Sequence, residues 1–76
     1  MGDRVDVLAK FSYGRAWPEK FWWHGREYQV VTINLIFQRK DGGRKYTCFA
    51  VSTATLEVEL DLDRDDLTWI LRGSSG

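Results

Sequence analysis

Seventy-six residues, with eleven Lys/Arg matched by eleven Asp/Glu, make one domain near the lower size at which a hydrophobic core holds a fold unaided. The single cysteine, Cys48, excludes an intramolecular disulfide framework and a zinc site built on thiolate pairs. Balanced charge argues against a strongly basic nucleic-acid binder. Stability must then come from the four Trp, four Phe and three Tyr, each enclosing about 150–250 Å² when buried.

The opening MGDRVDVLAKF carries Asp3, Arg4, Asp6 and Lys10 and no apolar run of signal-peptide or membrane-span length, so the expectation is a soluble cytoplasmic protein with no membrane association. Charge is uneven along the chain. Residues 1–47 hold nine Lys/Arg against five Asp/Glu, and 48–76 hold two against six, which predicts that charges pair across the fold.

In chain order, Val5, Val7, Ala9, Phe11 and Tyr13 alternate with Asp6, Leu8, Lys10 and Ser12, predicting a first strand from Arg4 to Tyr13 with odd positions inward. Gly14 to Pro18 interrupts that pattern, and Pro18 belongs at a strand entrance or edge because it has no N–H for a ladder. The stretch WPEKFWWHGREYQVV, Trp17 to Val31, reads as a β-hairpin turning at His24-Gly25-Arg26 with Phe21, Trp23, Tyr28 and Val30 on one face.

The return strand, Glu27 to Arg39, contains a phase conflict. Tyr28 and Val30 carry the apolar face first, then Val31, Ile33, Leu35 and Phe37 carry the opposite one. A one-residue slip reverses every side chain, so either a β-bulge near Val30 to Thr32 or a sharp bend between two sheets is required. Lys40-Asp41-Gly42-Gly43 signals a tight turn. Arg44 to Ser52 is then expected to pair with Leu56, Val58, Leu60 and Leu62, whose neighbours Glu57, Glu59, Asp61 and Asp63 face outward. A ladder summing to 107 sets Phe49 against Val58 and Arg44 against Asp63. Leu67, Trp69 and Leu71 close the core, and Gly73-Ser74-Ser75-Gly76 reads as a linker-like tail outside a domain of residues 1–72.

No stretch has a helical period of adequate length. The expected fold is all-β, a six-stranded antiparallel meander, strongly bent and closed or nearly closed like an SH3-type small barrel. An open curved sheet that dimerises over its exposed face is the alternative.

No catalytic constellation accompanies His24, the sole histidine, and no G-x-S-x-G, P-loop, H-E-x-x-H or paired C-x-x-C occurs. The chain therefore reads as a non-enzyme without a cofactor. Cys48, between Tyr46 and Ala50 on a mid-sheet strand, reads as an inert thiol. The acidic run Asp61 to Asp66 fails as a calcium loop, since Asp66 stands where glycine is needed and Arg72 where the bidentate glutamate should be.

Aromatic residues beside cations carry the functional expectation. With Phe21 and Trp23 inward, Trp22 points outward, and Trp17, Trp22, His24 and Arg26 form a candidate contact surface at the hairpin. Such a surface suits stacking of single-stranded nucleic acid or a partner-protein hot spot. The runner-up is a structural protein in which a second copy covers Ile36, Tyr46 and Leu8 in a homodimer.

Pro18, Phe21, Trp23, Gly25-Arg26, Tyr28 and Val30, followed by Tyr46, Leu60 and Trp69, resemble the Pro-x-x-Phe-x-Trp-x-Gly-Arg-x-Tyr-x-Val pattern of small uncharacterised bacterial β-domains, some of them beside DNA-repair polymerases. Such sequences tend to show a Trp late in the return strand, where this chain has Ile36-Phe37. The resemblance implies a β fold and no activity, cofactor or catalytic residue.

Overall fold

A computed structural model describes residues 2–75 as seven strands: β1 Asp3–Ser12, β2 Arg15–Trp23, β3 Arg26–Gln29, β4 Thr32–Asp41, β5 Arg44–Ser52, β6 Glu57–Asp63 and β7 Trp69–Ser75. They form one antiparallel sheet in the order β3-β2-β1-β7-β6-β5-β4. No helix among the described residues is long and apolar enough to cross a membrane.

The two edges of this sheet are consecutive in the chain. Val30 N–H donates to Glu19 O at 2.9 Å and Val31 N–H donates to Ser52 O at 2.8 Å, so neighbouring residues bond to opposite ends of the sheet. The sheet therefore curls, but it does not close. No Cα of β4 lies within 8 Å of one in β1 or β2. The expected six-stranded barrel is corrected to seven strands and an open sheet, because the long return strand divides at Val30-Val31 into β3 and β4.

That division resolves half of the phase conflict, and a bulge at Asn34 resolves the rest. The ladder runs Ile33↔Val51 and then Leu35↔Ala50, Ile36↔Phe49 and Phe37↔Cys48. Ile33 and Ile36 consequently face the core, while Leu35 and Phe37, expected inward, fall on the other face. Asn34 supplies the extra residue, its Nδ2 donating to Ser52 Oγ at 2.8 Å.

Strands β5 and β6 pair with Phe49↔Leu60 and Val51↔Val58, two residues from the expected register. A sum of 107 would oppose Thr53 to Ala54 and leave no residues for a turn. Instead Thr53 N–H donates to Leu56 O at 2.7 Å, and Thr53 Oγ1 accepts the Leu56 N–H at 2.9 Å. A two-residue shift preserves side-chain parity, so the apolar set stays inward. Arg44 still reaches Asp63, diagonally, with Nη1 2.6 Å from Oδ2.

The concave face encloses Val5, Phe21, Phe49, Val51, Val58, Leu60, Leu62, Trp69 and Leu71. Phe21 stacks on its cross-strand partner Tyr28 with centroids 5.2 Å apart, and Phe49 meets Trp69 at 5.6 Å. Three further residues expected in the core lie outside it. Phe11 is 68% exposed and Tyr13 97%, because β1 runs past the end of the enclosed layer, and Leu67 is 62% exposed. Gly73–Ser75, expected outside the fold, extend β7 and pair with Glu57–Glu59, since a ladder needs backbone groups and not side chains. Gly76, the rest of that tail, lies outside the described residues.

Candidate functional site

The hairpin residues do not converge on one surface. Trp22 points outward and is 40% exposed, while Trp23 is half-buried against the core. The cross-strand partners of Trp22 are both acids, Asp6 on β1 and Glu27 on β3, and the nearby Lys20 is 3.7 Å from Glu27. Trp17 is half-buried, and its Nε1 donates to Ser12 O at 3.2 Å. His24 turns the hairpin with φ 51°, lies tilted against Trp23 at 4.3 Å, and places Nε2 3.6 Å from Asp3 Oδ2, which also accepts the Trp23 Nε1 hydrogen bond. Arg26 is exposed opposite Trp23, on the face away from Trp22.

On the convex face of β4 to β7, two of the four acids expected outward, Asp61 and Asp63, are buried, while Glu57 is exposed. Asp61 is 0% exposed and sits opposite buried Cys48, with Asp63 buried opposite Tyr46. Arg72 Nε donates to Asp61 Oδ2 at 2.6 Å and Arg39 Nη1 donates to the same atom at 3.3 Å, while Arg39 Nη1 lies 3.2 Å from Glu59 Oε2. The Arg72 guanidinium also covers the Tyr46 ring, 5.1 Å from its centroid. Long Arg side chains thus roof the carboxylates with their apolar stems. The opposite charge of the two halves of the sequence was the signal for this pairing, although burial of Asp61 was not legible.

Within the network, Cys48 Sγ and one oxygen each of Glu59 and Asp61 lie within 4.8 Å of one another. Asp61 Oδ1 and Glu59 Oε2 are buried without a hydrogen-bond partner. Burial, then the adjacent Asp61 carboxylate, pushes the Cys48 thiol up to about 12, and the same two causes raise Glu59 against the pull of Arg39 and Arg72. Two guanidiniums already balance the two carboxylates. The cluster is a buried network of two carboxylates under two guanidiniums.

A second feature is the open end of the sheet. A cleft of about 450 Å³ lies between the β1–β2 turn, which supplies Phe11, Arg15 and Ala16, and the inner face of β4 to β6, which supplies Ile36, Gln38, Thr47, Phe49, Leu62 and Arg64. Beyond its apolar floor the inner face becomes cationic. Lys40 and Lys45 are directly opposed, and Arg64 N–H donates to Lys45 O at 2.9 Å, which sets Arg64 beside them. Arg15, Lys40, Lys45 and Arg64 are all exposed, and none lies in an ion pair among the described residues.

Two bulky residues flank this cleft in left-handed backbone. Tyr13 has φ 54° in the β1–β2 turn, and Leu67 has φ 60° in the β6–β7 turn. The second turn is held by Leu67 N–H to Asp63 O at 2.9 Å and Asp65 N–H to Asp63 Oδ1 at 2.9 Å. Left-handed backbone is costly for such side chains, and here it keeps apolar groups exposed at the rim. Sequence reasoning missed the cleft because its two cations, Arg15 and Arg64, come from segments far apart in the chain.

No protein-family model, no curated protein and no solved structure matches this chain.

Proposed function

We propose that this chain is a small non-catalytic binding module whose site is the open-end cleft and whose partner is anionic and extended, a single-stranded nucleic acid or an acidic protein segment. The observation that supports this reading is the pair Lys40–Lys45. Like charges directly opposed on a ladder destabilise it, and Arg64, whose Nη1 donates to Gln38 Oε1 at 3.5 Å, adds a third positive charge that forms no ion pair among the described residues. An anionic ligand removes that repulsion. The cleft volume falls within the range of about 300–1,000 Å³ common to ligand sites, and Phe11, Ile36 and Leu67 in its lining add apolar contact area.

The hairpin surface of Trp17, Trp22, His24 and Arg26 is a weaker candidate for an anionic partner, because Asp6 and Glu27 flank Trp22. Calorimetric titration at low salt with oligothymidylate and with poly-L-glutamate tests the proposal. Binding of one of them that weakens with added salt, and weakens further in a K40E/K45E variant, is the expected result. If neither polymer binds, or if the variant binds as well as the parent, the reading fails.

A further inference from the structure

We infer that the occupant of the cleft is an extended polypeptide segment that adds as a strand to the free edge of β4, its acidic side chains meeting Lys40, Lys45 and Arg64. This rests on the reading of the open end as the binding site and commits to one of its two partner classes. The sheet curls until its ends share the Val30-Val31 corner, yet β4 has no neighbour on its outer side. Across the cleft, β2 pairs with β1 over Arg15–Pro18 but has no partner there on its other side, because β3 covers only Lys20 to Trp23. No β4 Cα lies within 8 Å of β2, so the two edges do not pair with each other, whereas directly paired strands stand about 4.8 Å apart.

The two edges differ in what they accept. β2 carries Pro18, which has no N–H to offer, and β3 is a four-residue edge bearing Arg26 and Glu27. Both are protected against pairing. β4 is ten residues long, has no proline, and is uncharged from Thr32 to Gln38. A peptide gains its affinity from main-chain hydrogen bonds to such an edge and its specificity from alternate side chains.

The inner face specifies that alternation. Successive inward side chains of an added strand are about 6.8 Å apart. They would pass the level of Ile36 and Phe49, then of Gln38 and Thr47, then of Lys40 and Lys45. The matching segment reads apolar, polar, acidic at every second residue. A nucleic acid would meet the cations but leave the N–H and C=O groups of the β4 edge unpaired.

The test uses a synthetic peptide of about ten residues that alternates valine with threonine at one end and glutamate with threonine at the other. Its counterparts are a lysine-for-glutamate peptide, the acidic peptide with methylated backbone amides, and oligothymidylate. Binding is read by calorimetry, and site by amide hydrogen exchange along Ile36–Lys40. The expected result is binding of the acidic peptide with slowed exchange on β4, a loss of at least about tenfold in affinity for the K40E/K45E variant and for the methylated peptide, and no binding of the lysine peptide.

Equal binding of the methylated peptide, or peptide binding without slowed exchange on β4, overturns strand addition while leaving the open end as an anion site. Binding of oligothymidylate alone overturns it in favour of nucleic acid. Slow β4 exchange without peptide, together with a concentration-dependent mass, overturns it in favour of a second copy. If no anionic probe binds, the underlying proposal fails as well.

Discussion

Lys40 and Lys45 face each other directly across the β4–β5 ladder, exposed and without a carboxylate partner, while Arg39 one residue away is drawn to Glu59 and Asp61 on the opposite face of the sheet. Adjacent residues of one strand thus serve opposite ends. The convex face satisfies its cation and the concave face leaves its cations free. A domain with eleven acids could have placed one beside Lys45, and a variant can supply it.

Replacing Lys45 by Glu converts the repulsive pair into an attractive one. Stability to urea should rise by about 0.2–1 kcal/mol. Affinity for whichever anionic polymer binds the parent should fall. Lower stability and unchanged binding together would refute the view that this position favours a ligand over the fold.

Asp61 holds Arg39 and Arg72 from a fully buried position. Substitution by Ala strands two guanidiniums and should cost about 3–5 kcal/mol in urea denaturation, a large share of the total for a domain of this size. Asp61→Asn should cost less, because its amide oxygen still accepts from Arg72. Equal losses for the two variants would show that the charge, and neither packing nor the retained acceptor oxygen, sets the effect.

Thermodynamic linkage gives opposite pH slopes for two groups of this face. Asp63 is held below the ordinary carboxylate range, first by the Asp65 N–H and also by Arg44, so its contribution is present above the unfolded-state pKa and is lost as pH falls through the lowered value. Glu59 is raised, first by burial, so stability present below its ordinary pKa is lost as pH rises through the folded one. In urea midpoints measured from acid to neutral pH, Asp63→Asn should flatten the acid side and Glu59→Gln the decline above the ordinary carboxylate pKa. Curves parallel to the parent would exclude both assignments.

Cys48 is fully buried, with its thiol pushed up to about 12. Labelling by a thiol-specific aromatic disulfide should therefore be blocked in the folded protein and should accelerate with urea along the global unfolding transition. Rapid labelling in native buffer would show that the Arg39–Asp61–Arg72 roof opens on its own.

Trp22 and Trp23 provide a check on strand polarity. Trp22→Ala should change stability by less than about 1 kcal/mol and leave anion binding intact, whereas Trp23→Ala, which removes packing against Tyr28 and the hydrogen bond to Asp3, should cost about 3 kcal/mol. Iodide quenching of the parent should report Trp22 as the more accessible of the two.

Period-two alternation within single segments was sufficient to read what depends on neighbours along the chain. It placed Trp22 and Trp23 on opposite faces, put Phe21, Tyr28 and Val30 together, set β5 at Arg44–Ser52 and identified a break in the long return strand. These follow from local geometry, because a strand reverses its side-chain direction at every residue. Tertiary structure alone decided the bulge at Asn34, the two-residue register of β5 on β6, the gap that leaves the sheet open, and the burial of Asp61. Each of those depends on which segments meet. A cation from residue 39 and another from residue 72 make a buried carboxylate stable, Lys40, Lys45 and Arg64 become neighbours through the β4–β5–β6 ladders, and Arg15 joins Arg64 at one cleft only through the curl of the sheet.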